Sequence, residues 1–104
     1  LKTSAGLTVG GGFNATAVRL RDANYVVTES DYYISINAVS NTVDIDISGI
    51  ISGQICVIRG ANIANAATVS SLDAGTYTFA TAGDSITVYN DGLVGKVIIS
   101  EYKQ

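Results

Sequence analysis

The sequence predicts an all-β domain, and three observations carry the prediction. Val, Ile and Thr supply 33 of the 104 residues, against five Leu and no Met, Trp or Pro. Such side chains are stiff at χ1 and suit a pleated surface. Over 42–48, Val43, Ile45 and Ile47 alternate with Thr42, Asp44, Asp46 and Ser48, so a period of 2 sends one row to a core and the other to water. Turn residues punctuate such runs at intervals of roughly 8 to 12 residues, the rhythm of a small antiparallel β-sandwich or jelly-roll-like domain.

In chain order, residues 1–16 form a Gly-rich lead-in, with Gly6, Gly10, Gly11 and Gly12 too dense for a packed strand. A single sandwich domain then occupies 17–104. A strand at 17–21 places Arg19 and Arg21 on one face, and a second follows at 25–28. Between it and the next strand, Thr28-Glu29-Ser30-Asp31 has the spacing of a capping box, enough for one turn. The strand at 32–37 must point Tyr32 and Tyr33 to opposite faces, one into the core and one outward. The alternating strand at 42–48 comes next, after Ser40-Asn41. Past Ser52-Gly53, the strand at 54–59 carries Ile55-Cys56-Val57-Ile58, apolar on both faces and expected to be buried on both. Strands at 67–71 and 75–80 flank Asp73-Ala74-Gly75. The last two, at 85–90 and 95–102, flank Asp91-Gly92, a tight-hairpin signal, with Ile86 and Val88 on one face and Ser85, Thr87 and Tyr89 on the other.

Composition narrows function. There is no His and one Cys, so neither a His-based catalytic pair nor an internal disulfide can be built, and no cofactor or transition-metal site is expected. Cys56 reads as a buried, inert thiol. A net charge of −3 removes the footprint of a nucleic-acid binder, and Arg19 and Arg21 read as an isolated solvated or interface edge. No run approaches the roughly 20 apolar residues that span a bilayer, so membrane insertion is not expected. A hydrophobic fraction of 47% and a mean hydropathy of +0.32 lead to the expectation that some apolar surface faces another subunit, a well-packed monomer rich in Ala being the alternative. A chain opening on Leu1 is expected to be processed or cut from a longer polypeptide.

Asp44 and Asp46, at i and i+2 on one strand face, have the spacing to hold Ca²⁺ or to share glycosidic acid–base work; the simpler reading is a solvent-facing polar stripe. Gly10-Gly11-Gly12 lacks the Lys and Ser/Thr of a phosphate loop, and Asn14-Ala15-Thr16 fits a glycosylation acceptor only at the level of chance.

Taken together and in order, Tyr25-Val26-Val27-Thr28-Glu29-Ser30-Asp31-Tyr32-Tyr33-Ile34, Val43-Asp44-Ile45-Asp46-Ile47, Gly53-Gln54-Ile55-Cys56-Val57-Ile58-Arg59 and Asp84-Ser85-Ile86-Thr87-Val88-Tyr89-Asn90-Asp91-Gly92 resemble the small C-terminal β-modules of bacteriophage tail fibres and tailspikes. Leu7-Thr8-Val9-Gly10-Gly11 is similar to the repeats of trimeric fibre shafts. Two positions depart from the pattern: Gly49 stands where a Pro is common, and Leu93-Val94-Gly95-Lys96-Val97 lacks the aromatic that often follows the closing Asp-Gly.

The resemblance implies a non-catalytic, homotrimeric module on the tail or capsid surface of a virion, in contact with other virion proteins and attaching to a host-surface glycan or protein. A capsid decoration or head fibre, a non-viral adhesin and a carbohydrate-cleaving enzyme using Asp pairs are the alternatives. With few charges and many polar and aromatic residues, attachment is expected to use neutral contacts, with Tyr33, Asn62, Asn65 and Asn90 as the candidate ligand-binding residues.

Overall fold

β-Branched alternation produces nine strands among the described residues, which in this computed structural model are 16–93 and 95–104. The strands are β1 (Ala17–Arg21), β2 (Tyr25–Val26), β3 (Tyr33–Asn37), β4 (Val43–Asp46), β5 (Ile55–Asn62), β6 (Ala67–Leu72), β7 (Gly75–Thr78), β8 (Ser85–Asn90) and β9 (Lys96–Tyr102). Apart from Thr16, the lead-in lies outside the described residues, as do Gly10-Gly11-Gly12 and Asn14-Ala15.

The all-β class and the two-sheet sandwich hold, but the pairing corrects the antiparallel expectation. One sheet has the order β1-β3-β5-β8-β9 and the other β2-β4-β6-β7. The chain changes sheet after each of its first five strands, so β1, β3 and β5 stack in parallel in one sheet while β2, β4 and β6 stack in parallel in the other. β2, β3, β4 and β5 are thus each the crossover that joins two parallel neighbours of the other sheet. Three coils wound in this way are then closed by antiparallel pairing: β7 folds back on β6, β8 on β5 and β9 on β8.

Inward side chains fill the space between the sheets. Ile34, Ile58 and Ile86 are register partners on three adjacent strands, and all are buried; Cys56 and Val88 form the neighbouring pair. The facing sheet contributes Val43, Ile45, Ala67 and Val69. Leaving the β4 ladder, the chain turns through a 3₁₀ segment, Ile47–Gly49, capped by the Asp46 carboxylate, which accepts from the Ser48 amide at 2.9 Å. The strand expected to run to Ser48 therefore ends at Asp46, although Ile47 still points into the core.

Side chains staple the corners of successive coils. Asp22 Oδ1 accepts from the Ser40 and Asn41 amides at 2.8 and 3.1 Å, tying the first coil to the second. Asn65 donates from its backbone amide to the Ala38 carbonyl and from its side chain to that of Val39, tying the third coil to the second. At the opposite corners, Gln54 Nε2 donates to the Thr28 and Asp31 carbonyls at 2.9 and 3.0 Å. The capping-box residues form a turn without a helix: Asp31 Oδ2 accepts from the Thr28 amide at 2.8 Å and from the Tyr25 hydroxyl at 2.7 Å. Asp84, only 2% exposed, holds the C-terminus by accepting from the Gln104 amide at 2.7 Å, with Lys103 Nζ at 3.7 Å.

The hairpin at Asp91-Gly92 forms, with a longer loop than a two-residue turn. Asp91 Oδ1 accepts from the Leu93 and Gly95 amides, and Gly92 and Gly95 adopt φ of 79° and 111°. The expectation of two-sided burial in β5 holds for one face only: Cys56 and Ile58 are buried, whereas Ile55 is 42% exposed because its face is the outside of the sheet. Tyr32 and Tyr33 divide differently from the expectation as well. Ile34 and Ile36 take the core, leaving Tyr33 half-buried on the outer face and Tyr32 exposed ahead of the strand.

Candidate binding face

The outer face of the five-stranded sheet gathers the chemistry that the linear sequence disperses. Parallel register places Arg19, Ser35 and Arg59 side by side on β1, β3 and β5, and the antiparallel strands extend the row through Ser85 to Tyr102. One row toward the start of β3, Ala17, Tyr33, Val57, Thr87 and Ser100 are aligned. Arg21 and Asn37 form the row beyond Ser35. On β3, β5 and β8 these positions alternate with core residues, Ile34, Ile36, Ile58 and Ile86 among them, which fixes their side chains on the outside. Arg19 and Arg21 are therefore not isolated: Arg59 joins them, because winding brings the third coil beside the second and the second beside the first.

The electrostatics of the face are distinct from those of the whole chain. Half of the six basic residues lie on it in a protein of net charge −3. Arg21 is near Asp22 (Nε to Oδ2 3.9 Å), whereas Arg19 and Arg59 have no ion-pair partner among the described residues. At the other end of the face, Ile55, Tyr89 and Val97 form an apolar row. The adjoining loops add exposed Ile51 and Leu93, the latter 96% exposed. Those loops touch: Asn90 donates from Nδ2 to the Ile50 carbonyl, and the Gly53 amide donates to the Asn90 carbonyl.

On the outside of the four-stranded sheet, Asp44 and Asp46 form a hydrogen-bonded ladder with β6. Thr68 and Ser70 hydroxyls donate to Asp44 at 2.7 and 2.6 Å, and the Ser71 hydroxyl donates to Asp46 at 2.6 Å. The Ser71 hydroxyl and the Ser48 amide hold the Asp46 carboxyl below its ordinary value, which suits a permanently ionised structural acceptor. Among the described residues no group of three or more His, Cys, Asp or Glu is placed to hold a metal ion. Burial pushes the Cys56 thiol up to about 12, with Asp31 a lesser cause, so at neutral pH it is a protonated thiol packed in the core.

The four residues expected to bind ligand do not converge. Tyr33 lies on the outer face, near the apolar row. Asn90 sits at that same end, with Oδ1 accepting from the Gly92 amide and Nδ2 engaged with Ile50. Asn62 and Asn65 occupy the corner beyond the far end of β5, where Asn62 Oδ1 accepts from the Ala64 amide and Asn65 holds the second coil. No protein-family model, characterised protein or solved structure matches the chain.

The corner carboxylates have a pH signature. The Ser40 and Asn41 amides lower the Asp22 pKa, as Ser71 and Ser48 lower that of Asp46. A carboxylate depressed in the folded state stabilises fully above the unfolded value, ordinarily 3.8, and that contribution disappears as pH falls through the folded value. Asp22→Asn is accordingly expected to lose less stability than the parent between pH 7 and pH 3, read as the difference in urea midpoints. An equal loss in parent and variant would remove Asp22 from the acid response.

Proposed function

We propose that the chain is a non-catalytic attachment module of a virion fibre or tailspike, which assembles as a homotrimer and binds a host-surface glycan or protein through the outer face of its five-stranded sheet. The observation that carries the reading is the composition of that face: basic, hydroxyl and aromatic side chains share an exposed surface held on paired strands rather than on loops. The resemblance of the four strand segments to fibre and tailspike modules points the same way. A non-catalytic role is favoured by the engagement of Asp44 and Asp46, whose oxygens accept from neighbouring hydroxyls, and by the Asp46 carboxyl being held below its ordinary value where a glycosidic general acid needs it raised.

Assembly and attachment divide the face between them. The row Ile55, Tyr89 and Val97, with Ile51 and Leu93 beside it, is the apolar surface that trimer formation would cover; the arginine end stays open for ligand. Sedimentation equilibrium at micromolar concentration is expected to give three times the 10.7 kDa chain mass. Leu93→Asp combined with Ile51→Asp should shift it toward monomer without unfolding the chain, both side chains being exposed. A monomer for the parent protein would contradict trimer assembly. For attachment, a glycan array is expected to show selective binding, whereas association with capsids alone would favour a decoration protein.

A further inference from the structure

We propose that Arg19, Arg59 and Arg21 bind the anionic groups of an acidic surface polysaccharide, with Ser35 on the floor between the first two; this rests on the attachment reading and names its ligand class. Arg19 and Arg59 flank Ser35 in register, so their backbones are about 10 Å apart, two strand spacings. Long side chains rooted at that separation can converge above the intervening hydroxyl. Each guanidinium offers five donors in a planar fork, the geometry that pairs bidentately with a carboxylate or a phosphate or sulfate ester. Both are exposed and without an ion pair among the described residues. The desolvation and rearrangement needed to engage a ligand are therefore small.

The surroundings favour a saccharide as the carrier of the charge. Ser35, Ser85 and Thr87 supply hydroxyls on the same face; half-buried Tyr33 lies two residues from Ser35 along β3, and exposed Tyr102 ends the row two strands beyond Arg59. Tyr rings combine an apolar face for sugar C–H groups with a polar tip. A nucleic acid would require a longer basic track, and here the positive surface stops at three side chains in a chain of net charge −3. Of the three, Arg21 alone has an ion-pair partner among the described residues, Asp22 at the rim of the row.

The test is titration of the full chain with oligomers of galacturonic acid and of sialic acid, with sulfated and phosphorylated oligosaccharides, and with neutral dextran oligomers for comparison. Binding is expected for at least one acidic series, weakening with salt as exposed charge pairs do. Arg19→Ala with Arg59→Ala should lower that affinity about tenfold or more, the loss of charge-assisted hydrogen bonds, with Arg59→Lys intermediate. Lys96→Ala, which removes one positive charge at the apolar end, should leave it within about twofold. Thermal unfolding midpoints of the variants establish that each is folded. Which acidic series binds separates carboxylate from ester recognition. Selective binding of neutral oligosaccharides, unaffected by the Arg substitutions, would overturn the anionic site and leave attachment standing. Failure to bind any oligosaccharide or any purified bacterial surface polysaccharide would overturn this inference and remove the glycan branch of the attachment reading.

Discussion

Ile58→Ala is expected to destabilise the domain by about 2–5 kcal/mol, a large share of the roughly 5–15 kcal/mol that holds such a domain together. Ile58 is fully buried on β5, the strand through which the parallel coils join the antiparallel closure, and it sits in register between Ile34 and Ile86. Truncation leaves a cavity bordered by strands on both sides, so collapse around it would have to distort two ladders at once. The thermal midpoint should fall by about 10 °C or more. Ile55→Ala on the same strand provides the contrast, because its side chain faces outward and is 42% exposed. A similar loss from both substitutions would mean that β5 does not present one face to the core and the other to the outside.

The second large effect is expected at Gly49. A Cβ added there would meet the Val27 carbonyl oxygen, a backbone atom of the adjacent coil that cannot rotate away. Val27 is itself fixed by donating its amide to the Asp46 carbonyl at 2.9 Å. Gly49→Ala should therefore force the corners of the first two coils apart, at a cost of about 1–3 kcal/mol or more. Gly60 offers a comparison of a different kind, since a Cβ there would first meet side-chain atoms, Phe79 Cγ at 2.9 Å and Ile63 Cγ2 at 3.2 Å, rather than backbone. Chemical denaturation of both variants checks the difference. If Gly49→Ala retained the parent midpoint, the close approach of the two corners would be disproved.

Period-2 alternation made the strand faces legible, as in Val43, Ile45 and Ile47, because a side chain's face depends on its own strand alone. Pairing depends on which strand lies alongside, and there the residues were ambiguous. Ser40-Asn41 and Ser52-Gly53 suit a corner between sheets as well as a hairpin within one, so an antiparallel sandwich was the natural expectation. The Asp22 staple to Ser40 and Asn41 carries no local motif, since its two ends meet only after winding. The same limit hid the arginine row. Arg59 is remote from Arg19 and Arg21 along the chain, and only the parallel register through Ser35 brings it alongside. The Asn residues stood out in sequence as loop-side polar groups, but a corner needs such amides for its own backbone, and Asn65 and Asn90 are used there.

Parallel winding is thus the arrangement on which the proposed binding face depends, and a nitroxide attached at Arg21→Cys tests it most directly, with the buried Cys56 replaced by Ala to confine the label. In parallel register the label stands beside Asn37 and near Asn62, at the far ends of β3 and β5. Paramagnetic broadening should therefore be strong at the Asn37 and Asn62 amides and weaker at Tyr33 and Val57, about 13 Å further along their strands. Stronger broadening at Tyr33 than at Asn37 would show β1 running antiparallel to β3, and would contradict the parallel winding and the placing of Arg21 beside Asn37.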